Sequence, residues 1–318
     1  VNGNWLAVEG ARNLGHLMAA YPRRYEAHGR VFDAGEVASY FNLSAFRAGL
    51  DLLVDTGVAA VEALHRSLQD RAVVALAKNP AQALAHAQTE AERVETLHKL
   101  LATIAGRHAH AALASSLSAE DVVLTHAIAT LGAPIEIFVI DTGRLHGQTL
   151  ALVATLEQRF GTVLRIHRPD GAAVARHVDA HGEFGFYDSL EVRKDCCHLR
   201  KVEPLERALA SRDAWLTGQR RAHGPERARL AAQERDEARG IAKYNPLAFW
   251  SDDDVWHYTD RHELPFNTLY AKGYPSIGCE PCTRAVRAEE DPRAGRWWWE
   301  QGHTKECGLH AGPSNARI

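Results

Sequence analysis

The chain has 318 residues and a formal net charge of −3, from 37 lysines and arginines against 40 aspartates and glutamates. Its content of 46% hydrophobic and 24% charged residues excludes a disordered or collagen-like chain and is enough for a sizeable core. The near-neutral charge leaves no electrostatic footprint for nucleic acid. No stretch approaches the roughly 18 apolar residues of a membrane span, and residues 1–17 lack the pattern of a secretion signal. We therefore expect a cytoplasmic protein with no nucleic-acid or membrane partner.

The first 95 residues are rich in alanine and leucine, which predicts a helical N-terminal extension. Residues 34–50 have the rhythm of a small helix-turn-helix but lack the basic stripe of a DNA-binding surface, which favours a structural role. The sequence assigns no ligand to this extension. From about residue 96 the pattern changes, and we expect a main domain over residues 96–296 and a mobile tail over residues 297–318.

Short apolar runs alternate with helical patterns beyond residue 96. The predicted strands are residues 111–115, 134–141, 162–167 and 214–217. The predicted helices are residues 121–131, 148–160, 202–209 and 251–262, the last with Ser251 as its N-cap. The charge-rich stretch at 220–239 is predicted to be an exposed loop or helix. This alternation predicts an α/β fold with a parallel sheet and helices on both faces.

Polar loops follow three of these strands, at the sheet edge where ligands of open parallel sheets bind. The three loops are Ser115-Ser-Leu-Ser-Ala-Glu-Asp121, Asp141-Thr-Gly-Arg144 and Thr217-Gly-Gln-Arg-Arg221. The first loop opens a helix, whose N-terminal amides favour an anion. Each loop alone is also typical of an ordinary helix cap. Three such loops at one edge of a sheet predict a nucleotide that carries phosphate or sulfate.

Four of the five cysteines form two pairs, the adjacent Cys196 and Cys197 and the CxxC of Cys279 and Cys282. The odd total cannot be fully paired within one chain, which indicates free thiols. A redox-active disulfide at the CxxC would leave the adjacent pair unexplained. A zinc site and a four-iron, four-sulfur cluster both use four thiolates. The spacing favours the iron–sulfur cluster, because adjacent cysteines suit separate corners of a cube better than one tetrahedral ion; zinc stays an open alternative.

The fifth cysteine, Cys307, stands apart near the end of the chain, among several glycines. Lys305 and His310 lie close to it in sequence. A lone thiol in such a segment suits a nucleophile that moves in and out of a site. The alternative is an inert terminal cysteine, and the presence of the other four cysteines as a set favours the nucleophile.

Taken in order, these motifs resemble those of the assimilatory adenylyl-sulfate reductase family, thioredoxin-dependent enzymes with an iron–sulfur cluster. The resemblance runs from about residue 95 to residue 312. Its most specific segments are Ile277-Gly-Cys-Glu-Pro-Cys-Thr-Arg284, Gly295-Arg-Trp-Trp-Trp-Glu300 and Lys305-Glu-Cys-Gly-Leu-His310. The resemblance implies an adenine-nucleotide alpha-hydrolase-like fold, in which the serine-rich loop serves as a modified P-loop.

The resemblance also implies a role for individual residues. Cys307 is implied to be the nucleophile, and Lys201 is implied to lie between an iron–sulfur cluster and the substrate sulfate. The implied ligands of one [4Fe-4S] cluster are Cys196, Cys197, Cys279 and Cys282. The implied substrate-binding residues are Ser116, Ser118, Asp141, Thr142, Gly143, Arg144, Lys201, Arg227, Arg293, Arg296 and His310.

The implied reaction is the reduction of adenylyl sulfate to sulfite and AMP, in sulfate assimilation and cysteine biosynthesis. The Cys307 thiolate attacks the substrate sulfur, displaces AMP and forms an S-sulfocysteine. A thiol of thioredoxin, or of a glutaredoxin-like reductant, then releases sulfite. The sequence leaves open whether the enzyme is a homo-oligomer.

Three alternatives differ from this expectation in substrate or in class. A 3′-phosphoadenylyl-sulfate reductase, or an enzyme that uses both sulfonucleotides, performs the same chemistry, but typical members lack the four paired cysteines. An ATP pyrophosphatase of the same fold carries a glycine pair that the serine-rich loop lacks. A zinc-stabilised DNA-binding regulator would use the N-terminal helices.

The chain also departs from the resembled family at Ser118, where glycine is common, at Gly147-Gln148 and at His223-Gly224.

Overall fold

The computed structural model describes residue 87 and residues 89–300. Most of the predicted N-terminal extension therefore lies outside the described residues, and so do Cys307 and His310 of the predicted tail. The division at residues 95 and 96 stays a prediction, although one helix runs through both positions. None of the helices in the described part combines the length and the apolar character that crossing a membrane requires.

Six strands form one sheet in the described part of the chain. They are β1 Ala111–Ser115, β2 Glu136–Ile140, β3 Leu164–His167, β4 Ala214–Leu216, β5 Gln233–Asp236 and β6 Ile241–Tyr244. Their order across the sheet is β3-β2-β1-β4-β6-β5, and every neighbouring pair is parallel except β5 with β6. The four predicted strands and the parallel arrangement are confirmed.

The antiparallel edge strand corrects one sequence prediction. β5 lies inside the charge-rich stretch 220–239, which was expected to be a loop or helix, and that expectation is wrong for residues 233–236. The segment pairs its backbone with β6; Gln233 and Arg235 stay exposed, and the largely buried Asp236 carboxylate forms an ion pair with Arg239. Because an edge strand has only one neighbour, charge is well tolerated there and also discourages pairing with other chains.

The predicted helices are confirmed, with bounds that differ by only a few residues. The described helices are α1 Glu90–Arg107, α2 Ala119–Leu131, α3 Gly147–Phe160, α4 Gly171–His181, α5 Leu190–Cys197, α6 Glu203–Leu209 and α7 Asp252–Arg261. Ser251 caps α7 as predicted: its hydroxyl accepts from the Asp254 amide at 3.1 Å, and the Asp254 carboxylate accepts from the Ser251 amide at 2.7 Å. This reciprocal capping box fixes where the helix begins.

Two hydrophobic layers cover the two faces of the sheet. Successive residues of a strand point to opposite faces. Leu113, Ile137 and Leu216 belong to the larger layer, which includes buried residues of α1, α2, α3 and α7. Their neighbours Ala112, Phe138 and Trp215 pack instead with residues of α6. The prediction of helices on both faces is therefore confirmed.

The strand order creates a crevice at the carboxyl ends of the strands. From β1 the chain moves outward to β2 and β3, and it then returns to the other side of β1 to form β4. The loops after β1 and β4 therefore diverge at a topological switch point, which is where open α/β sheets bind their ligands.

Candidate active site

A cavity of about 520 Å³ opens at this switch point. The ends of β1, β2 and β4 form its floor. Residues 275–278 and 291–293 line it as well, together with Arg296 and Trp297. Segments that are far apart in sequence therefore build one site.

The serine-rich loop is held in place by Asp121 of α2. One carboxylate oxygen of Asp121 accepts from the Ser116 amide at 2.6 Å, the Ser116 hydroxyl at 2.7 Å and the Ser118 hydroxyl at 3.3 Å. The left-handed position of the loop is Leu117, with φ 64°, whereas Ser118 has φ −71° and caps α2. Ser118 therefore needs none of the conformational freedom of the glycine that is common there.

The second oxygen of Asp121 is buried and has no hydrogen-bond partner among the described residues. Burial and the nearby Glu120 carboxylate together raise the pKa of this carboxyl to about 6, against the opposing hydrogen bonds from Ser116. A Cβ on Gly218 would lie 2.5 Å from that oxygen. Glycine at 218 therefore lets the loop after β4 close against α2.

A buried charge network lies on the other side of the loop. The Glu120 carboxylate accepts from the Arg220 guanidinium at 2.7 Å and 2.9 Å and contacts Nε2 of His223 at 2.9 Å. Burial raises the pKa of Glu120, but His223 and Arg220 outweigh it and lower the pKa to about 2. All three residues line the cavity. Sequence reasoning missed this network, although it had marked His223 as a departure from the resembled family.

The four cysteines of the two pairs come together in one cluster. Cys196 and Cys197 end α5, and a π-helical turn, His198–Val202, follows directly. Cys279 precedes a short 3-10 turn, Glu280–Cys282, and Cys282 ends it. None of the four cysteines is in a disulfide, and they pack with Phe186 and Trp297 in a small hydrophobic cluster, which we call the cysteine cluster.

Cations and a hydroxyl surround Cys279 within the cysteine cluster. Burial disfavours its thiolate, but the Lys201 ammonium, the Thr142 hydroxyl and Arg296 outweigh burial, so the pKa of this thiol is lowered. The Thr142 oxygen lies 3.3 Å from the Cys279 sulfur. In contrast, burial and the neighbouring Cys279 and Cys197 raise the pKa of Cys282 to about 12. Lys201, Thr142 and Arg296 also line the cavity.

Backbone bonds tie the CxxC turn to the loop after β2. The Glu280 amide donates to the Arg144 carbonyl at 2.8 Å, and Leu145 forms a β-bridge with Cys279. Arg296 lies across Gly278, where a Cβ would collide with its guanidinium. The cavity and the cysteine cluster are therefore adjacent compartments with a shared wall.

Most of the predicted substrate-binding residues that the structure describes line the cavity. They are Ser116, Ser118, Thr142, Lys201, Arg227, Arg293 and Arg296. Asp141, Gly143 and Arg144 lie outside the lining. Asp141 accepts from the Gly143 amide at 2.9 Å and from Arg168 at 3.0 Å. The Arg144 guanidinium donates to the Glu183 carbonyl at 3.0 Å and lies 5.4 Å from the Phe184 ring centre.

Comparison with known proteins assigns the chain to a family. Residues 110–285 match the phosphoadenosine phosphosulfate reductase domain. The chain belongs to the phosphoadenosine phosphosulfate reductase family. This match includes the serine-rich loop, Cys196, Cys197 and the CxxC, and it confirms the resemblance inferred from the sequence motifs.

Three bacterial relatives are similar to the chain over most of their own length. All three are named adenosine 5′-phosphosulfate reductase. The protein of Burkholderia cepacia is 57% identical over 220 residues, 69% of this chain and 88% of its own length. That of Neisseria meningitidis serogroup A is 51% identical, over 69% of this chain and 91% of its own. That of Allochromatium vinosum is 52% identical, over 62% of this chain and 77% of its own.

Proposed function

We propose that the chain reduces adenosine 5′-phosphosulfate to sulfite and AMP in assimilatory sulfate reduction. Two relatives that carry this activity in their name match 69% of this chain. The observation that carries the proposal is the wall between the cavity and the cysteine cluster. Lys201 and Arg296 line the cavity and also act electrostatically on Cys279. Two cations there suit a sulfate at the cavity's inner end.

The reaction joins two anions, which explains the need for cations. The Cys307 thiolate attacks the sulfate sulfur, the bond from sulfur to the phosphate oxygen breaks, and AMP leaves with the electron pair. The products are AMP and an S-sulfocysteine. Lys201, Arg293 and Arg296 offset the repulsion and the charge that develops in the transition state. Arg227 lines the cavity beside His223 and binds the nucleotide phosphate in this proposal.

Release of sulfite needs a dithiol reductant, and we assign this role to thioredoxin. One of its thiolates attacks the Cys307 sulfur of the S-sulfocysteine, and sulfite leaves with the electron pair. The second thiol then resolves the mixed disulfide, which regenerates the Cys307 thiolate and leaves oxidised thioredoxin. Two electrons pass from the dithiol to the sulfonate sulfur.

The donor set of the cysteine cluster fits a [4Fe-4S] cluster. Cys196, Cys197, Cys279 and Cys282 lie in one site, three of them buried, none is in a disulfide, and cations stand next to Cys279. Among the described residues, no group of three Cys, His, Asp or Glu side chains is arranged to hold a single metal ion. Four irons at separate corners need more widely spaced thiolates than a single zinc ion does. When bound, the cluster supplies a structural support and a local charge beside Lys201.

An anaerobic assay with purified protein and thioredoxin tests the reaction. We expect sulfite from adenosine 5′-phosphosulfate at a kcat/KM well above that for the 3′-phosphorylated sulfonucleotide. A preference for the 3′-phosphorylated substrate would refute the proposed substrate and identify the chain as a 3′-phosphoadenylyl-sulfate reductase. The Cys307→Ser variant is expected to form no sulfite while it retains iron; turnover in that variant would refute the nucleophile. Stoichiometric zinc without labile sulfide would refute the iron–sulfur assignment.

A further inference from the structure

An exposed group of aromatic side chains lies directly outside the cysteine cluster. We call it the aromatic face and define it by Phe184, Tyr187 and Trp298. Their exposed fractions are 53%, 39% and 40%. The Tyr187 ring lies 6.4 Å from that of Phe184 and 6.2 Å from that of Trp298. The three rings therefore form one continuous surface rather than separate exposed residues.

This concentration is unusual for the described part of the chain. Eight large hydrophobic side chains are exposed there, and the aromatic face with the adjacent Leu190 accounts for four of them. Scattered apolar side chains are normal on a protein surface, whereas a contiguous patch marks an interaction site. Tryptophan and tyrosine are also the residues that most often dominate binding energy at protein interfaces.

The aromatic face is joined to the machinery of the proposed reaction. The Tyr187 hydroxyl donates to the Pro281 carbonyl at 2.6 Å, inside the CxxC turn. The Tyr187 ring also packs on Trp299 at 4.4 Å, and Trp299 borders the cysteine cluster. A partner bound here would therefore stand over the cysteine cluster, outside the cavity.

The chain that leads to the nucleophile begins at this face. Glu300 directly follows the tryptophans, and its carboxylate accepts from the buried Arg193 guanidinium at 2.7 Å and 3.0 Å. Cys307 lies seven positions after Glu300, a length of chain that spans at most about 25 Å when fully extended. A small protein seated on the aromatic face would thus hold its own thiol within reach of Cys307.

We propose that the aromatic face is the docking surface for the dithiol protein that releases sulfite from Cys307. The occupant is a small redox protein with an apolar surface around its reactive cysteine, and this inference rests on the proposed function. A second copy of the chain and the chain's own C-terminal segment are the competing occupants. The reductant is favoured because it must approach Cys307 from outside while the cavity holds or releases the nucleotide.

Trp298→Ser separates docking from chemistry. We expect the KM for thioredoxin to rise about tenfold, because truncation of a central interface aromatic commonly has an effect of this size. The kcat at saturating thioredoxin and the sulfite release driven by dithiothreitol, which needs no docking surface, are expected to stay at wild-type values. Leu131→Ser is the matched control, since Leu131 is 38% exposed on α2, and its KM for thioredoxin is expected to change by less than about twofold.

The first half-reaction separates failure of this inference from failure of the proposed function. Without reductant, wild type and Trp298→Ser should both gain the mass of one SO₃ group on Cys307; if wild type does not, the proposed function itself is wrong. An unchanged KM for thioredoxin in Trp298→Ser overturns the docking proposal. Slower sulfonation in the variant would assign the face to the chain's own C-terminal segment, and loss of a dimer would assign it to a second copy.

If Trp298→Ser folds poorly, the contact surface of thioredoxin can be mapped on the wild-type chain instead. Thioredoxin that lacks its resolving cysteine can be trapped on Cys307 as a mixed disulfide. Hydroxyl-radical labelling is expected to show protection of residues 184–190 and 298 in this complex, with Leu131 labelled as before. Protection elsewhere, with the aromatic face still labelled, would refute the docking surface.

Discussion

The cavity and the cysteine cluster share a wall, but they are held together in opposite ways. In the cavity, hydrogen bonds within the chain fix the binding loops: Asp121 holds the two loop serines, and Glu120 holds Arg220. In the cysteine cluster, four thiols that form no disulfide lie among aromatic rings, and the Thr142 oxygen lies 3.3 Å from the Cys279 sulfur. Hydrogen bonds of the polypeptide build the cavity, whereas the proposed function assigns an iron–sulfur cluster to the cysteine cluster.

This contrast predicts that damage to the two compartments will differ in kind. A change in the cavity should alter substrate binding and leave iron content unchanged. A change among the cysteines should remove the iron and leave the serine-rich loop intact. Lys201 and Arg296 line the cavity and also act on Cys279. Replacing either residue should therefore affect both substrate binding and iron content.

Cys279→Ser is expected to have the largest effect. Because a site built for four thiolates tolerates a missing ligand poorly, we expect loss of the iron, of the visible absorption and of at least about 99% of the activity. Binding of AMP, which reports on the serine-rich loop, should remain within about threefold of wild type. Iron analysis reports on the cysteine cluster, and calorimetric titration of AMP reports separately on the cavity.

The Cys307→Ser variant is the matched control for that experiment, since it also replaces one thiol. It should lose sulfite formation and keep both iron and AMP binding. Retention of iron and absorption in Cys279→Ser would show that the cysteine cluster is as self-sufficient as the cavity, and the contrast between the two compartments would fail.

Gly218→Ala is the corresponding change on the cavity side. Its Cβ would meet the Asp121 carboxylate at 2.5 Å and Cβ of Glu120 at 2.9 Å, so the loop after β4 has to move. We expect kcat/KM to fall about thirtyfold, mainly through KM, with the iron content unchanged, because misplaced binding groups commonly have effects of this order.

Gly106→Ala provides the control for Gly218→Ala. Gly106 lies in α1, where an added Cβ meets nothing within 4 Å. It should leave kcat/KM unchanged and stabilise the helix by up to about 1 kcal/mol. Iron loss in Gly218→Ala would mean that the cavity and the cysteine cluster fold as one unit.

The parts of the site that depend on local pattern could be predicted from sequence, and those that depend on distant pairing could not. The apolar runs that become β1 and β2 can be recognised as strands from the sequence alone. The loops after them, which contain Ser116 and Thr142, could therefore be placed at the sheet edge. The Glu120–Arg220 pair joins residues 100 apart, and nothing local to either residue indicates the other. β5 was missed for a similar reason, because its charged sequence becomes a strand only through its partner β6.

Side-chain direction was the other limit of prediction. Arg144 occupies a loop that borders the site, and the family resemblance implied contact with the substrate. In the structure its guanidinium faces Glu183 and Phe184, and its contact with the substrate stays a prediction. A motif gives the position of the backbone, and the direction of a long side chain depends on neighbours that are remote in sequence.

The pH dependence of stability should reveal the buried carboxyl of the cavity. Burial raises the pKa of Asp121 from its ordinary 3.8 to about 6. Between these values the folded chain binds the proton more strongly than the unfolded chain does, so protonation of Asp121 stabilises the fold. This contribution to the free energy of unfolding is complete below pH 3.8 and is lost as the pH rises through 6. For a pKa shift of this size, the free energy of unfolding changes by on the order of 3 kcal/mol across this pH range.

Asp121→Asn removes that titration and keeps an oxygen that can accept from Ser116. Urea unfolding at pH 4.5 and pH 7 should therefore show that wild type loses more stability than the variant as the pH rises. The lowered pKa of Glu120 acts in the opposite direction, but it is present in both proteins and cancels in the comparison. A stability difference that does not change with pH would contradict the assigned shift.

Replacement of Ser118 is expected to have the smallest effect and tests how the cavity loop is held. The Ser118 hydroxyl caps α2 through the Asp121 amide at 3.5 Å, a longer contact than the 3.1 Å between Ser251 and Asp254 at the start of α7. Ser118→Ala should lower the free energy of unfolding by up to about 1 kcal/mol, and Ser118→Gly by only a few tenths. Ser251→Ala and Ser251→Gly are matched controls at a cap outside the cavity, and the shorter contact there should give the larger loss. If Ser118→Gly costs more than Ser118→Ala, the loop depends on the restricted backbone of residue 118 rather than on its hydroxyl, and Asp121 alone does not fix it.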